Sequence, residues 1–343
     1  MRSDSSAAEQ ARLTPLRELS ARIGGDPLLT QASTGNTSIK LGNVLWIKAS
    51  GRWLADAKHD DILVPLQLSE VKQYIHRQVD PSEVYAGASI ETAMHAVVPH
   101  PVVLHVHSVN TIAWAVRQDA RYQLERRLKG LQWQWIPYVP SGLPLAHQIE
   151  RVSSSGEANV FVLGNHGLVI AGDDCDAVEN LLSQVEKRLT ICPRTPDHAD
   201  YDALYELAER SPWDLPDDDS VHALATDPTS QAILCGGILF PCQSMFSNSS
   251  EAEVFRAVPC SDLNNGCESQ YRARPFLMVE GRGVVIRRDM TRCQRAMMGG
   301  LAQVVQRINS SAPIHYLTND EVEYSVRTIA SRYNASAEPV QYS

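Results

Sequence analysis

The chain has 343 residues, 43% of them hydrophobic and 21% charged, with a formal net charge of −9. This is the composition of a soluble globular protein long enough for two domains. The acidic balance argues against nucleic acid as the main partner, because neutralising phosphates needs a basic face. No run reaches the ~18 apolar residues of a membrane span, and Met1-Arg2-Ser3-Asp4 leads into polar sequence without the apolar core of a secretory signal. A cytoplasmic protein with no membrane partner is expected. The seven cysteines are odd in number and include no CxxC pair, which favours reduced thiols. Cys235/Cys242 and Cys260/Cys267 are too widely spaced for a good zinc site.

Residues 6–23 predict a helix with Leu13, Leu16, Leu19 and Ile23 on one side and Gly24-Gly25 as its stop; Pro15 argues that it begins only there. A turn of small donors, Ser33-Thr34-Gly35-Asn36-Thr37-Ser38, comes next. The alternating runs Thr37–Leu41 and Val44–Ala49 flank Gly42-Asn43 and predict a hairpin. Lys48-Ala49-Ser50-Gly51-Arg52 is a second polar turn. Residues 67–78 read as helix and 79–89 as loop. Ser89 can cap a helix from Ile90 to about Val98, ended by Pro99 and Pro101. The run Val102-Val103-Leu104-His105-Val106-His107-Ser108 predicts a strand, followed by a short helix near 111–116, a strand over 132–139 and a helix over 143–152. Strands at 160–163 and 168–171 bracket Gly164-Asn165-His166-Gly167, and an amphipathic helix covers 174–189. Interleaved strands and helices make the class α/β.

The proline-rich stretches Pro193–Pro196 and Pro212–Asp219 suggest a boundary. The expected division is a catalytic domain over 1–195, a linker over 196–219 and a smaller C-terminal α/β unit over 220–343. Its expected elements are strands at 233–240, 276–279 and 284–286, then helices at 291–308 and 319–333.

On a strand, His105 and His107 point to the same face, and two imidazoles at a strand end can grip a divalent metal. Alone, the pair is as well read as two partly exposed histidines. His166 in its sharp turn and Glu91 just upstream tip the balance towards a metal site. Three imidazoles suit Zn²⁺, with Mn²⁺ and Fe²⁺ compatible. Glu91 could be a plain charge in a first helical turn. It shares a helix face with His95 just before the metal strand, which favours an acid/base role. His95 is either a core histidine bonded to backbone or a group that orients Glu91. Gly35, Asn36, Ser50, Gly51 and Ser89 are each ordinary turn chemistry. Together they supply the hydroxyls, amide and exposed N–H groups that a small phosphate needs, and Lys48 and Arg52 could add charge. No Walker loop, no GxGxxG after a strand and no GxSxG elbow occurs.

The motifs Gly35-Asn36-Thr37-Ser38, Trp46-Ile47-Lys48-Ala49-Ser50-Gly51, Ser89-Ile90-Glu91-Thr92 with His95, His105-Val106-His107-Ser108 and Asn165-His166-Gly167-Leu168 resemble the class II aldolase/adducin family, in order and context, over about residues 10–195. The resemblance implies a central β-sheet covered by helices, often in a homotetramer. It implies that His105, His107 and His166 hold Zn²⁺, that Glu91 is the acid/base, and that Gly35, Asn36, Ser50, Gly51 and Ser89 bind substrate phosphate. Sugar-phosphate aldolases of the family usually have Ser-Ser-Glu; Ile90 here removes one donor and puts a phosphorylated substrate in question. Residues 221–227 and 316–322 resemble the segment that joins the halves of bifunctional rhamnulose-phosphate aldolase/dehydrogenases. The chain stops where the dehydrogenase half would begin, so no oxidoreductase activity is expected of it, and residues 200–343 have no assigned chemistry.

The expected activity is reversible aldol cleavage of a small ketose or ketose phosphate through a metal-stabilised enediolate. Decarboxylation of a 3-oxo sugar acid and epimerisation of a sugar phosphate are alternatives on the same residues. A non-catalytic, adducin-like assembly module is the alternative of another class; the three histidines and Glu91 weigh against it.

Overall fold

The run Val102–Val106 owes its near-continuous apolarity to burial on both faces of a central strand. In the computed structural model of the protein, described over residues 2–153, 158–209, 211–246, 252–264, 271 and 273–330, the chain divides into two units. One comprises residues 1–115 with 120–190, the other 116–119 with 191–343.

The first unit contains a seven-stranded sheet: β1 (Asn36–Leu41), β2 (Val44–Lys48), β3 (Leu63–Gln67), β4 (Val102–Val106), β5 (Trp133–Ile136), β6 (Val160–Leu163) and β7 (Gly167–Gly172). Their order is β3-β2-β1-β4-β7-β6-β5. All neighbours are antiparallel except β5 and β6, which are parallel. Its helices are α1 (Arg2–Gly24), α2 (Leu68–His76), α3 (Pro81–Val84), α4 (Thr92–Val97), α5 (Val109–Ala115), α6 (Ala120–Arg127), α7 (Leu143–Ser153) and α8 (Cys175–Leu189). Val102, Leu104 and Val106 of β4 pack with Leu13, Leu16 and Leu19 of α1 and Val178, Leu182 and Val185 of α8. Val103 faces the other way, into a cluster with Met94, Ile149 and Phe161. The period-2 alternation of a strand therefore puts His105 on the Val103 face, under α4 and α7. Each fully buried Leu or Val contributes about 1.5–3 kcal/mol as an upper bound, so both layers clamp β4 firmly.

Two expectations for this unit are corrected. Helix α1 runs unbroken through Pro15 instead of starting there. Pro15 and Ala11 are both exposed, so water can hydrate the Ala11 carbonyl that the missing N–H leaves open, and the buried Leu13, Leu16 and Leu19 hold the helix on its other side. Strand β3, which carries Pro65, was not expected. Among the described residues it pairs only with β2, Pro65 lying opposite Trp46, and an edge strand tolerates a proline.

The second unit holds a three-stranded antiparallel sheet of β8 (Trp213–Asp214), β9 (Phe276–Val279) and β10 (Gly283–Arg287), in the order β8-β10-β9. Leu204, Trp213, Leu277, Val279 and Val285 fill one core. Its helices are α9 (Tyr201–Ala208), α10 (Ala223–Thr226), α11 (Pro228–Cys235), α12 (Cys260–Asn264), α13 (Arg292–Val305) and α14 (Asn319–Ser325). The stretch 196–219, expected as a linker, carries α9 and β8; the apolar Leu204 and Trp213 draw it into the core. Residues 233–240 were expected as a strand, yet 228–235 are helical. Asp227 caps the Thr229 N–H, Pro228 follows at the first helical position, and Gly236 ends the turn. A short apolar run does not distinguish the two states by periodicity. The helix expected over 319–333 continues past α14 as a wider π turn over Val326–Ala330. Residues 331–333, like Cys267, lie outside the described residues. Among the described residues, no helix is long and apolar enough to cross a membrane.

Candidate metal centre

Three strands and one turn bring the site together. On β4, His105 lies directly opposite Asn36 of β1 and Val169 of β7, so these three side chains share one face. His107 follows just past the strand end. The β6–β7 turn delivers His166: Asn165 takes a left-handed conformation, φ 50°, which asparagine tolerates better than most residues. Gly167 lets the turn close, since a Cβ there would lie 2.5 Å from the Val106 carbonyl oxygen.

The three imidazoles meet edge to face, with centroids 5.0, 4.9 and 5.1 Å apart, and one nitrogen of each lies within 4.8 Å of the others. The Nε2 atoms of His105 and His107 are 3.1 Å apart. Two nitrogens bound at about 2.0–2.1 Å to one tetrahedral ion would be separated by about 3.3 Å, so the spacing fits. Nδ1 of His105 lies 3.1 Å from the Leu168 carbonyl oxygen. A carbonyl only accepts, so Nδ1 carries the proton and Nε2 presents its lone pair to the centre. Burial pulls His105 down to about 4 and His107 well below the ordinary histidine range. Both are neutral at pH 7, the form a metal requires.

Glu91 lies beside them. The sequence expectation put it inside a helix from Ile90, but α4 begins at Thr92 and Glu91 occupies the position before it, with no cap bond from its side chain. The Ser89 hydroxyl accepts from the Glu91 N–H at 3.2 Å, and the carboxylate is free to turn inward. Its Oε2 is 3.1 Å from Nε2 of His105, and its Oε1 is 3.3 Å from Nε2 of His166. Asn36 donates from Nδ2 to Oε2 at 3.2 Å, and Ser141 donates to Oε1 at 3.4 Å. Burial alone would raise this carboxyl; the imidazoles of His105, His166 and His107 outweigh it and hold Glu91 well below the usual carboxylate range. The result is an anionic oxygen pair beside three buried imidazoles in one pocket. The donor set fits a divalent cation, with an ionised carboxylate beside it.

The other predicted residues fall in two groups. Gly35 and Asn36 join the centre directly. Gly35 has φ 69°, and a Cβ there would meet the His105 carbonyl oxygen at 2.9 Å. Asn36, expected at a phosphate, directs its amide N–H to Glu91. Ser50 is exposed, and its N–H donates to the Gly87 carbonyl at 2.9 Å, tying the Ser50-Gly51 turn to the segment that leads into Ser89. Lys48 is fully buried; its ammonium donates to the Ser33 and Arg52 carbonyls at 2.7 Å each, stapling the two turns together. His95 is buried with Nδ1 2.7 Å from the Ser38 hydroxyl, so its hydrogen-bond partner is Ser38 and not Glu91. Burial pushes His95 down to about 3. Ser141 carried no signal in sequence beyond a turn before a helix.

The chain belongs to the class II aldolase and adducin family: the family profile described as Class II Aldolase and Adducin N-terminal domain matches residues 18–192, about half the chain and all of this centre. The chain is 29% identical over 174 residues to a Bacillus subtilis (strain 168) protein named "Uncharacterized oxidoreductase YuxG", covering 44% of this chain and 25% of that protein. It thus spans about a quarter of the length of that relative. Among solved structures, the N-terminal class II aldolase domain of a conserved protein from Thermoplasma acidophilum is 25% identical, with 51% of this chain and 92% of that one covered at a TM-score of 0.41. The l-fuculose-1-phosphate aldolase from Thermus thermophilus is 17% identical, with 52% and 91% covered at a TM-score of 0.40.

Proposed function

We propose that the first unit is a metal-dependent aldehyde-lyase that reversibly cleaves a small ketose or ketose phosphate. The observation that carries the proposal is the convergence of three buried histidine nitrogens beside one buried, ionised carboxylate. His105, His107 and His166 would hold a divalent ion, Zn²⁺ by preference for an all-imidazole set, which would polarise the substrate's carbonyl and offset the negative charge left as the C–C bond breaks.

The residues of the chain do the rest. In cleavage the hydroxyl that becomes the aldehyde gives up its proton, the C–C bond breaks, and the carbon left nucleophilic takes up a proton; Glu91, ionised at rest, carries the proton between these atoms, and the reverse path serves synthesis. Its ionised state at rest leaves it able to take up that proton, and burial excludes competing water. Gly35, Asn36, Ser50, Gly51 and Ser89 are proposed to bind the substrate's phosphate or equivalent polar end, with Asn36 shared between that task and Glu91. His95 supports the sheet face below through Ser38. The resemblance to the family extends the proposal to a homo-oligomer built through this unit, a tetramer by preference; a monomer by light scattering at micromolar concentration would overturn that part.

The test is a screen of ketose phosphates and 3-oxo acids with Zn²⁺-loaded protein, scored for aldehyde release, CO₂ release and epimer formation. Aldehyde release supports the lyase. Release of CO₂ alone, or epimerisation without net cleavage, would move the same residues to another reaction. No turnover, together with no exchange of substrate α-protons, would overturn the enzyme reading.

A further inference from the structure

Helix α5 joins two of the three imidazoles. It begins two residues after His107, which lies beyond Val106, the last residue of β4 paired with β7. It ends at Ala115, whose carbonyl accepts the Asn165 N–H at 3.2 Å, next to His166. His105, by contrast, is held within the sheet, between Asn36 and Val169. A shift of α5 would therefore move His107 and His166 and leave His105 in place.

Helix α8 pins α5 at both ends. At the C-terminal end, Nε1 of Trp114 donates to the Leu189 carbonyl at 2.9 Å, a bond to backbone that asks for no particular side chain on α8. At the N-terminal end the partner is a side chain: Nδ2 of Asn110 donates to Oε2 of Glu186 at 3.2 Å. Ser108 and Thr111 are fully buried beside it, and the Ser108 hydroxyl accepts the Thr111 N–H at 3.1 Å to start the helix. These three side chains favour the charged form of Glu186, yet burial prevails and raises its proton affinity. Glu186 borders the apolar stripe of Val178, Leu182, Val185 and Leu189, where a leucine would pack without that cost. The dipole of α5 would be served as well by a solvated acid. A buried carboxyl bonded to Asn110 does what neither alternative does: it fixes where the first turn of α5 lies.

We propose that Glu186 is a positioning residue that, by holding Asn110, fixes α5 and through it the separation of His107 and His166. This rests on the reading of His105, His107 and His166 as metal ligands. The physical basis is preorganisation. Ligands must be held within about 0.5 Å of the productive geometry, and an ion that has to draw a displaced imidazole inward must move the helix attached to it.

The test uses the full chain stripped of metal. Zn²⁺ affinity is read by competition against a chromophoric chelator, and the ring signals of ¹⁵N-histidine are read in metal-free protein. Glu186→Ala is expected to bind Zn²⁺ about tenfold more weakly, the lower end of what a partner that orients a ligand contributes. It should also shift the His107 and His166 ring signals while those of His222 in the second unit stay. Glu186→Gln, whose amide oxygen still accepts from Asn110, should keep both readouts near the parent. A residue that only stabilised the fold would lower the thermal midpoint and leave both readouts alone. Parent-like Zn²⁺ affinity in folded Glu186→Ala, or a loss that Glu186→Gln does not restore, overturns the proposal. Should Glu186→Ala fail to fold, Asn110→Ala decides: it removes the donor and keeps the carboxyl, and parent-like affinity there overturns the proposal too. A parent that binds no Zn²⁺ sinks the metal-centre reading, and the ring signals of the metal-free proteins then decide for or against Glu186 by themselves.

Discussion

The two units bury polar groups for different ends. In the second unit, Arg194 donates to Asp227 at 3.0 Å, to Ser230 at 3.0 Å and to the Val305 carbonyl at 3.1 Å, tying α11 to the end of α13. His222 accepts from the Val284 N–H at 3.1 Å. These bonds satisfy backbone ends and ion pairs within the packing. In the first unit, three imidazoles and a carboxylate crowd together without a cation of the chain among them. Among the described residues, His105, His107 and His166 form the group able to hold a metal ion. Burying so many titratable groups around one point is costly and is offset most when a cation joins them. The contrast puts the candidate metal centre in the first unit.

The largest expected effect would break this contrast outright. His105→Ala and His166→Ala should lose nearly all tightly bound divalent metal after dialysis, while the parent keeps about one ion per chain. Metal analysis decides it, and equal metal in all three proteins would mean that the centre lies elsewhere.

Glu91→Gln comes next. The amide is nearly isosteric, so the fold and the three imidazoles should survive and metal content should stay near that of the parent. It cannot carry a proton at neutral pH, and a positioned acid/base group contributes about 10²–10⁴-fold in rate. The loss should fall on kcat with KM changed much less. Exchange of the substrate's α-proton in deuterated water at the parent's rate, with metal still bound, would remove Glu91 from the role.

A change in the second unit sharpens the comparison from the other side. Trp213 is 1% exposed in the core with Leu277 and Val285. Trp213→Ala should cost about 3–5 kcal/mol in that unit and lower the thermal midpoint, yet leave the metal content of the folded protein at the parent level. Loss of metal from folded Trp213→Ala would show that the division of labour is wrong.

Much of this contrast was legible in sequence, for physical reasons. The i, i+2 spacing of His105 and His107 survives because a strand's period is 2 whatever packs around it. Gly42-Asn43 forms its hairpin because turn chemistry is local. His166 could be assigned because Asn165 and Gly167 are the residue types that a left-handed turn and a close approach demand. What failed was set by tertiary context. Pro15 lies inside a helix because Leu13, Leu16 and Leu19 anchor the opposite face, and β3 exists because β2 offers it an edge. Trp213 and Leu204 turn an expected linker into core. Asn36 was expected at a phosphate, but the partner of its amide, Glu91, is 55 residues away, and Ser141 meets the same carboxylate from a loop 50 residues beyond it. No local pattern encodes such encounters.

The smallest expected effect concerns His95, which shares the site's face without sharing its cluster of nitrogens. It is fully buried, bonded through Nδ1 to Ser38, and its Nε2 has no hydrogen-bond partner. Burial lowers it from an ordinary 6.5 to about 3. Between those values the unfolded chain takes up a proton that the native protein refuses, so stability falls as pH drops from about 6.5 towards about 3 and changes no further below that. Each pH unit in the window is worth at most about 1.4 kcal/mol. His105 and His107 act in the same direction in metal-free protein, so the parent alone cannot isolate the share of His95. His95→Gln can, because the amide does not titrate while the other two histidines remain. At pH 7 the variant should be the less stable, having lost a fitted ring. Towards pH 4 the gap in thermal midpoint between metal-free parent and variant should narrow, since only the parent still loses the His95 contribution. A gap that stays constant from pH 7 to pH 4 would mean that His95 is not held neutral in the native protein.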